Sequence, residues 1–134
     1  MGSRSCNPVL PVKVARFFEA ANAGDVAGLL RVFAPDSIVN DQLQEWRGLT
    51  AIRRWAECDV VGQQLSLRVV HWIEHYGHCI VTAEVDGNFD KRGLPDPLEV
   101  HLYFTFAEDK VVQLVMLRDL SGTARLDDLL RGSR

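Results

Sequence analysis

The sequence predicts a single α+β domain in which three helices precede a run of antiparallel strands. Apolar residues recur at helical spacing up to about residue 56, and after Gly62 they alternate with polar residues, as in half-buried strands. The length of 134 residues suits one domain with one core. When the helices come in one part of the chain and the strands in another, the helices pack as a layer on one face of the sheet. We therefore expect a curved antiparallel sheet with the helices on one face, enclosing a conical pocket.

The first two helices each carry an apolar stripe. In the first helix the stripe consists of Val14, Phe17, Phe18 and Ala21. In the second helix it consists of Val26, Leu29, Leu30 and Phe33. Gly24 is expected to end the first helix, and Asp25 can cap the second. Pro35 ends that second helix, and residues 37–41 form a short strand whose last residue is Asp41.

A third helix follows Gly48, with Ile52, Trp55 and Ala56 at its buried positions. Four strands are then predicted from alternation, over residues 65–73, 81–85, 98–106 and 111–119, separated by segments rich in turn residues. Residues 1–10 are predicted to be a flexible leader and residues 11–120 the folded domain. The tail, residues 121–134, holds at most one short helix.

The composition excludes several classes of protein. The net charge is −3 and the basic residues are scattered, whereas a nucleic-acid binder carries a basic stripe. No apolar run approaches the roughly 20 residues that span a bilayer. Cys6, Cys58 and Cys79 lie far apart, which indicates neither a disulfide framework nor a zinc ribbon. A reducing cytoplasm is the default location.

The string His71-Trp-Ile-Glu-His75 resembles a zinc-binding motif, but such a motif needs a helix. This segment alternates and ends in a turn, so it is predicted to be a strand. The two histidines of a strand would then lie about 13 Å apart, too far to share one ion. We expect no metal and no cofactor.

Several segments are similar to a known family. They are residues 14–25, residues 29–41, Arg47-Gly48, and the spacing of Ile52 and Trp55. These segments resemble the nuclear transport factor 2-like superfamily, and within it the SnoaL-like polyketide cyclases and the ketosteroid isomerases. The resemblance covers roughly residues 11–120 and implies a cystatin-like α+β roll with a conical pocket.

The resemblance also implies roles for individual residues. Asp41 falls where a ketosteroid isomerase keeps its general base. The position of that family's oxyanion-binding tyrosine is Phe17 here, and the best match to its second, acidic donor is Leu102. Without these donors a developing dienolate loses its main stabiliser, so steroid isomerisation by that route is not expected.

The expected site combines Asp41 as general base with His71 as a second acid–base group, since His71 is predicted on the inward face of its strand. Arg118 is expected at the mouth of the pocket, where it can bind a carbonyl or pair with Asp41. The remaining expected ligand contacts are Phe17, Trp46, Trp55, Leu102, Phe104 and Met116. A structural role for Asp41 and a place in the core for the aromatic residues stay open.

Two functions are expected from these residues and from the resemblance. The first is a SnoaL-like isomerase, cyclase or lyase in which Asp41 removes a proton next to a carbonyl of a small apolar molecule. The alternative is a non-catalytic ligand-binding or interaction module of the same fold. Epoxide hydrolysis by an Asp–Arg–Asp set has Asp41 and Arg118 but no convincing second aspartate. Glu99, His101, Tyr103 and Thr105 share the opposite sheet face, which predicts a homodimer surface.

Overall fold

The computed structural model describes residues 10–120, and it shows the predicted order of helices and strands. The predicted leader (apart from Leu10) and the predicted tail lie outside the described residues. The elements are helices α1 (Val12–Ala23), α2 (Val26–Val32) and α3 (Gly48–Trp55), a π-helix (Ala56–Val61), and strands β1 (Phe33–Asp41), β2 (Gln44–Arg47), β3 (Ser66–His75), β4 (His78–Asp86), β5 (Leu98–Ala107) and β6 (Lys110–Asp119).

The strands form one curved, unclosed sheet in the order β2-β1-β6-β5-β4-β3. Strands β3 to β6 make an antiparallel meander, and β1 lies beside β6 in the parallel sense. The α+β class is therefore confirmed, with one parallel pair inside a sheet that is otherwise antiparallel. This pair carries Asp41 to a position opposite Met116.

The helix boundaries follow from local chemistry. Gly24 has a φ of 69°, a left-handed conformation that glycine adopts without a steric penalty, and it ends α1. The Asp25 side chain accepts a hydrogen bond from the Gly28 backbone N–H and caps α2. A side chain on Gly62 would bring its Cβ within 2.6 Å of the Cys58 carbonyl, so the end of the π-helix requires a glycine.

Strand β1 begins earlier than predicted. Phe33, expected on the second helix, is the first residue of β1 and is buried. Ser37, which is fully buried, accepts a hydrogen bond from the Ala34 N–H and donates one to the Val111 carbonyl. These bonds hold the start of β1 against β6. Strand β2 and the π-helix are additional elements that the pattern of apolar residues did not indicate.

The core lies between the helices and the inner face of the sheet. In β5, Val100, Leu102 and Phe104 are buried, as the alternation predicts. Phe17 makes edge-to-face contacts with Phe18, Phe33 and Phe104 and fills the space between α1 and the sheet. Within residues 10–120, no helix has the length and apolar character needed to cross a membrane.

Candidate functional site

A cavity of about 210 Å³ lies where β1 ends, between the π-helix and the meander. Its polar lining consists of Asp41, Gln42, Gln44, Asp59, Gln63 and Arg118. Its apolar lining consists of Leu65, Val85, Phe89, Leu98, Val100 and Met116. Two surface clefts are larger, but this cavity alone contains the strand-end aspartate, and its chemistry rather than its size makes it the candidate site.

Asp41 is half-buried at the last position of β1 and its carboxylate accepts two hydrogen bonds. The indole Nε1–H of Trp55 donates to Oδ2 at 3.0 Å, and the side-chain amide of Gln42 donates to Oδ1 at 3.2 Å. Trp55 itself is fully buried in the core. A rigid aromatic side chain therefore fixes one carboxylate oxygen of Asp41.

The turn after Asp41 is held in an unusual conformation. Gln42 and Leu43 have φ values of 54° and 73°, the left-handed region that side chains rarely adopt. The Gln42 backbone N–H and its side-chain amide both donate to the Met116 carbonyl, and its side-chain oxygen accepts from the Arg118 N–H. These bonds fasten the turn to β6, so the position of Asp41 is set by β6 as well as by β1.

Asp59 is the functional candidate that the sequence reasoning missed. It lies in the π-helix, half-buried, and lines the same cavity as Asp41. Burial raises the pKa of the Asp59 carboxyl above its ordinary 3.8, and the negative charge of Asp41 raises it further. Short π-helical segments are frequent at functional sites. The signal in the sequence was the spacing of four from Trp55, which places both residues on one helix face.

Arg118 lies at the mouth of the cavity, as expected from the alternation of β6. Its side chain is exposed, and its guanidinium carbon is 5.6 Å from the centre of the Phe89 ring. Phe89 and Arg118 both line the cavity. The guanidinium group is therefore available to a ligand that enters between them. Met116, the other expected contact on β6, is buried and also lines the cavity.

The remaining expected ligand contacts require a correction. Phe17, Leu102 and Phe104 are at most 1% exposed and belong to the closed core rather than to the cavity. The reason is that packed phenylalanine rings fill the inside of the expected cone, which confines the cavity to its open end. Trp55 contacts Asp41 instead of lining the cavity, and Trp46 packs against the core with its Nε1 buried.

The placement of His71 also requires a correction. Strand β3 contains one residue more than β4 between Val69 and His71, and such a β-bulge inverts the alternation beyond it. His71 is therefore exposed on the outer face, while Trp72 packs against the core. Strand β3 is also the edge of the sheet farthest from β2 and well separated from β1. The structure does not bring His71 and Asp41 together.

Comparison with known proteins agrees with this architecture. The family model for the SnoaL-like domain matches residues 14–114. A proposed polyketide cyclase from Sinorhizobium meliloti is 25% identical, with a TM-score of 0.73 over 81% of this chain and 95% of that one.

Two further solved structures share the fold. A protein of ketosteroid isomerase-like fold from Catenulispora acidiphila, solved with trimethylamine, is 16% identical, with a TM-score of 0.70 over 86% of this chain and 91% of that one. A proposed SnoaL-like polyketide cyclase from Jannaschia is 18% identical, with a TM-score of 0.66 over 82% of this chain and 85% of that one. No curated protein shows significant similarity to the sequence.

Proposed function

Because the chain belongs to the SnoaL-like domain family, we propose that it is an isomerase, cyclase or lyase that moves a proton next to the carbonyl group of a small molecule. The observation that carries this proposal is the shared cavity of Asp41, Asp59 and Arg118. Two carboxyl groups whose surroundings differ are the equipment of acid–base catalysis, since one can accept a proton while the other holds one.

In the proposed reaction, the Asp41 carboxylate removes a proton from the carbon next to the carbonyl. The electron pair of the broken C–H bond moves onto the carbonyl oxygen. The Arg118 guanidinium stabilises the oxygen as its negative charge develops. In an isomerase, Asp41 returns the proton to a different carbon of the conjugated system. In a cyclase, the activated carbon bonds to a second carbonyl carbon of the same molecule, whose oxygen takes the proton. In a lyase, a double bond forms to the neighbouring carbon while the leaving group on that carbon departs with the proton. This assignment replaces the oxyanion donors that Phe17 and Leu102 cannot supply.

The size of the cavity limits what can react there. Ligand sites usually have volumes of about 300 to 1,000 Å³. The cavity of about 210 Å³ is below this range, so it accommodates the reacting end of a molecule rather than a whole steroid.

Asp59 also favours a second candidate activity, the hydrolysis of an epoxide. Asp41 would take a proton from water while the water oxygen forms a bond to one epoxide carbon. The C–O bond of that carbon breaks, and Asp59, whose raised pKa favours the protonated carboxyl, gives its proton to the leaving oxygen. Asp59 is the second pocket aspartate that such a set requires and that the sequence did not indicate.

The test is the exchange of hydrogen for deuterium next to the carbonyl of a small ketone, 2-butanone, followed by NMR in heavy water. The unmodified protein should accelerate exchange, and Asp41→Asn should reduce the acceleration by about 10²-fold or more, because a carboxamide cannot accept the proton. Asp36→Asn is the matched control, since Asp36 is an exposed carboxylate on the same strand and does not line the cavity.

The outcomes separate the candidate functions. Equal acceleration by Asp41→Asn and the unmodified protein contradicts the role of Asp41. Binding of the ketone with no acceleration by the unmodified protein favours the non-catalytic binding module. Opening of styrene oxide to the diol, lost in both Asp41→Asn and Asp59→Asn, identifies the epoxide activity.

We also propose that a second copy of the chain covers the outer face of the sheet. Cross-strand pairing sets an apolar row along this face, made of Ile73, Ile80, Tyr103 and Val115. Ile73 is 61% exposed and Tyr103 is 39% exposed. Aromatic and aliphatic side chains in one patch are typical of subunit interfaces. Ile73→Lys should convert a dimer to a monomer in light scattering, and an unchanged mass would contradict the proposal.

A further inference from the structure

A groove of about 620 Å³ lies directly beside the Asp41 cavity, and the two share a wall. Val85, Phe89 and Leu98 line both spaces. The groove extends from this wall along the segment that joins β4 to β5, which contributes Leu94 and its neighbours to the far side. The cavity with the carboxylates is therefore one compartment of a longer depression, divided by three apolar side chains.

Phe89 is the aromatic member of the shared wall. Its ring faces two cations, with the Arg118 guanidinium carbon at 5.6 Å and the Lys91 ammonium at 5.5 Å from the ring centre. Arg118 lines the cavity and Lys91 lines the groove, so the ring lies between the two compartments. Phe89 is half-buried and sits on a connecting segment rather than in a strand.

Most of the charged side chains of the groove form ion pairs with one another, and these pairs are exposed to solvent. Arg68 pairs with Glu84 at 2.7 Å, and Lys91 pairs with Asp86 at 2.7 Å. The hydrogen bond from Lys91 also lowers the pKa of Asp86, which keeps this pair charged. The groove's remaining charged side chain is Asp96, which is exposed.

Apolar side chains supply much of the remaining surface. These are the three residues of the shared wall together with Leu94, Pro95 and Pro97. This apolar half of the lining can cover a hydrocarbon chain, whose burial is stabilised by removal of apolar surface from water. The groove volume falls inside the usual range for ligand sites, whereas the cavity volume does not.

We propose that the substrate has an aliphatic tail that lies in this groove past the Phe89 ring, while its carbonyl head lies beside Asp41 and Arg118. This inference rests on the proposed function, because it assumes that the head binds in the carboxylate cavity. It assigns the substrate class as medium-chain aliphatic carbonyl compounds. Phe89, Leu94 and Leu98 are then the residues that contact the tail and determine which chain lengths bind.

The first test is the affinity of the unmodified protein for straight-chain 2-alkanones, from 2-butanone to 2-decanone, measured by titration calorimetry. Each added methylene that enters the groove should tighten binding about fourfold, the factor expected for burial of one such group. An affinity that does not change along the series overturns the proposal.

The second test locates the tail. Leu94→Trp fills the groove, so the rise in affinity should stop at a shorter ketone than in the unmodified protein. The matched control is Val12→Trp, which adds the same side chain at an exposed position on α1 far from the groove. Equal chain-length dependence in Leu94→Trp and Val12→Trp, both folded by circular dichroism, overturns the assignment to this groove.

Asp41→Asn separates this inference from the proposed function. If the groove holds the tail, the dependence of binding on chain length persists in Asp41→Asn although deuterium exchange is lost. A flat binding series combined with loss of exchange in Asp41→Asn refutes the groove alone. Exchange that survives in Asp41→Asn, combined with a rising series, refutes the proposed role of Asp41 alone.

Discussion

The hydrogen bond between Trp55 and Asp41 gives a quantitative prediction that needs no substrate. Trp55→Phe removes the indole donor and a small volume from a fully buried position. A hydrogen bond to a charged group contributes about 1.5 to 3 kcal/mol. Because Asp41 is half-exposed and water can replace part of this contact, we expect a coupling energy near the lower limit, about 1.5 kcal/mol.

The assay is a double-mutant cycle in urea. Trp55→Phe, Asp41→Ala and the double variant are compared with the unmodified protein by the free energy of unfolding. Trp55→Phe should cost about 2 to 4 kcal/mol alone, the sum of the lost bond and the packing defect. In the Asp41→Ala background only the packing defect remains, so the cost should fall by the coupling energy.

Trp46 provides the matched control for this cycle. Its Nε1 is buried and has no hydrogen-bond partner among the described residues. Trp46→Phe therefore removes no bond, and its effect should add to that of Asp41→Ala within about 0.5 kcal/mol. If the effects of Trp55→Phe and Asp41→Ala also add within about 0.5 kcal/mol, the claim that Trp55 holds Asp41 in place is refuted.

Further predictions concern the backbone strain at Leu43, the half-buried carboxyl of Asp59 and the hydrogen bonds of Ser37 between β1 and β6. Leu43→Gly should raise the melting temperature by a few degrees, because relief of about 1 to 2 kcal/mol of left-handed strain exceeds the entropic cost of about 0.4 to 1 kcal/mol; a lower melting temperature would contradict the strain. Asp59→Asn should be more stable than the unmodified protein at neutral pH. The raised pKa of Asp59 means that the folded state holds the carboxyl proton more tightly than the unfolded state does. The stability that this proton contributes to the unmodified protein is therefore complete below the ordinary pKa of 3.8 and is lost as pH rises through the raised pKa. Thermal melts across pH should therefore show the two proteins converging in acid, and a difference independent of pH would argue against this cause. Ser37→Ala should cost about 1 to 3 kcal/mol in urea denaturation, because it leaves the Val111 carbonyl and the Ala34 N–H without their partner; a cost near zero would show that these groups find other partners.

The sequence predicted those features that depend on one element at a time. The alternation of β5 depends only on which residues are apolar, and Gly24 ends α1 by its own backbone preference, so both could be foreseen. Asp41 was proposed as a site residue from its place at the end of a strand and from the family resemblance, and that role stays a prediction. The cavity could not be predicted from single elements, since its residues come from the π-helix, the β4–β5 connection and five strands, namely β1, β2, β4, β5 and β6.

The errors have specific physical causes. An extra residue in β3 inverted the alternation, and nothing in the local composition marks where a bulge falls, so His71 was predicted on the wrong face. The aromatic residues were expected to surround a pocket, but their mutual packing in the core left no such space. Asp59 was not predicted because the third helix was expected to end near Ala56, about one turn before the cavity.

The parallel pairing of β1 with β6 has a consequence for how the protein reaches its native state. Strands β3 to β6 join neighbours along the chain, whereas the bonds from Ser37 to Val111 and from Gln42 to Met116 close loops of 74 residues. Contacts between distant segments carry a larger loop-closure entropy and form slowly. We expect the meander to assemble first and β1 to dock late, bringing Asp41 to its position. The Asp41 carboxylate would then arrive with one of the last steps of folding, and partially folded chains would contain most of the sheet but lack the candidate site.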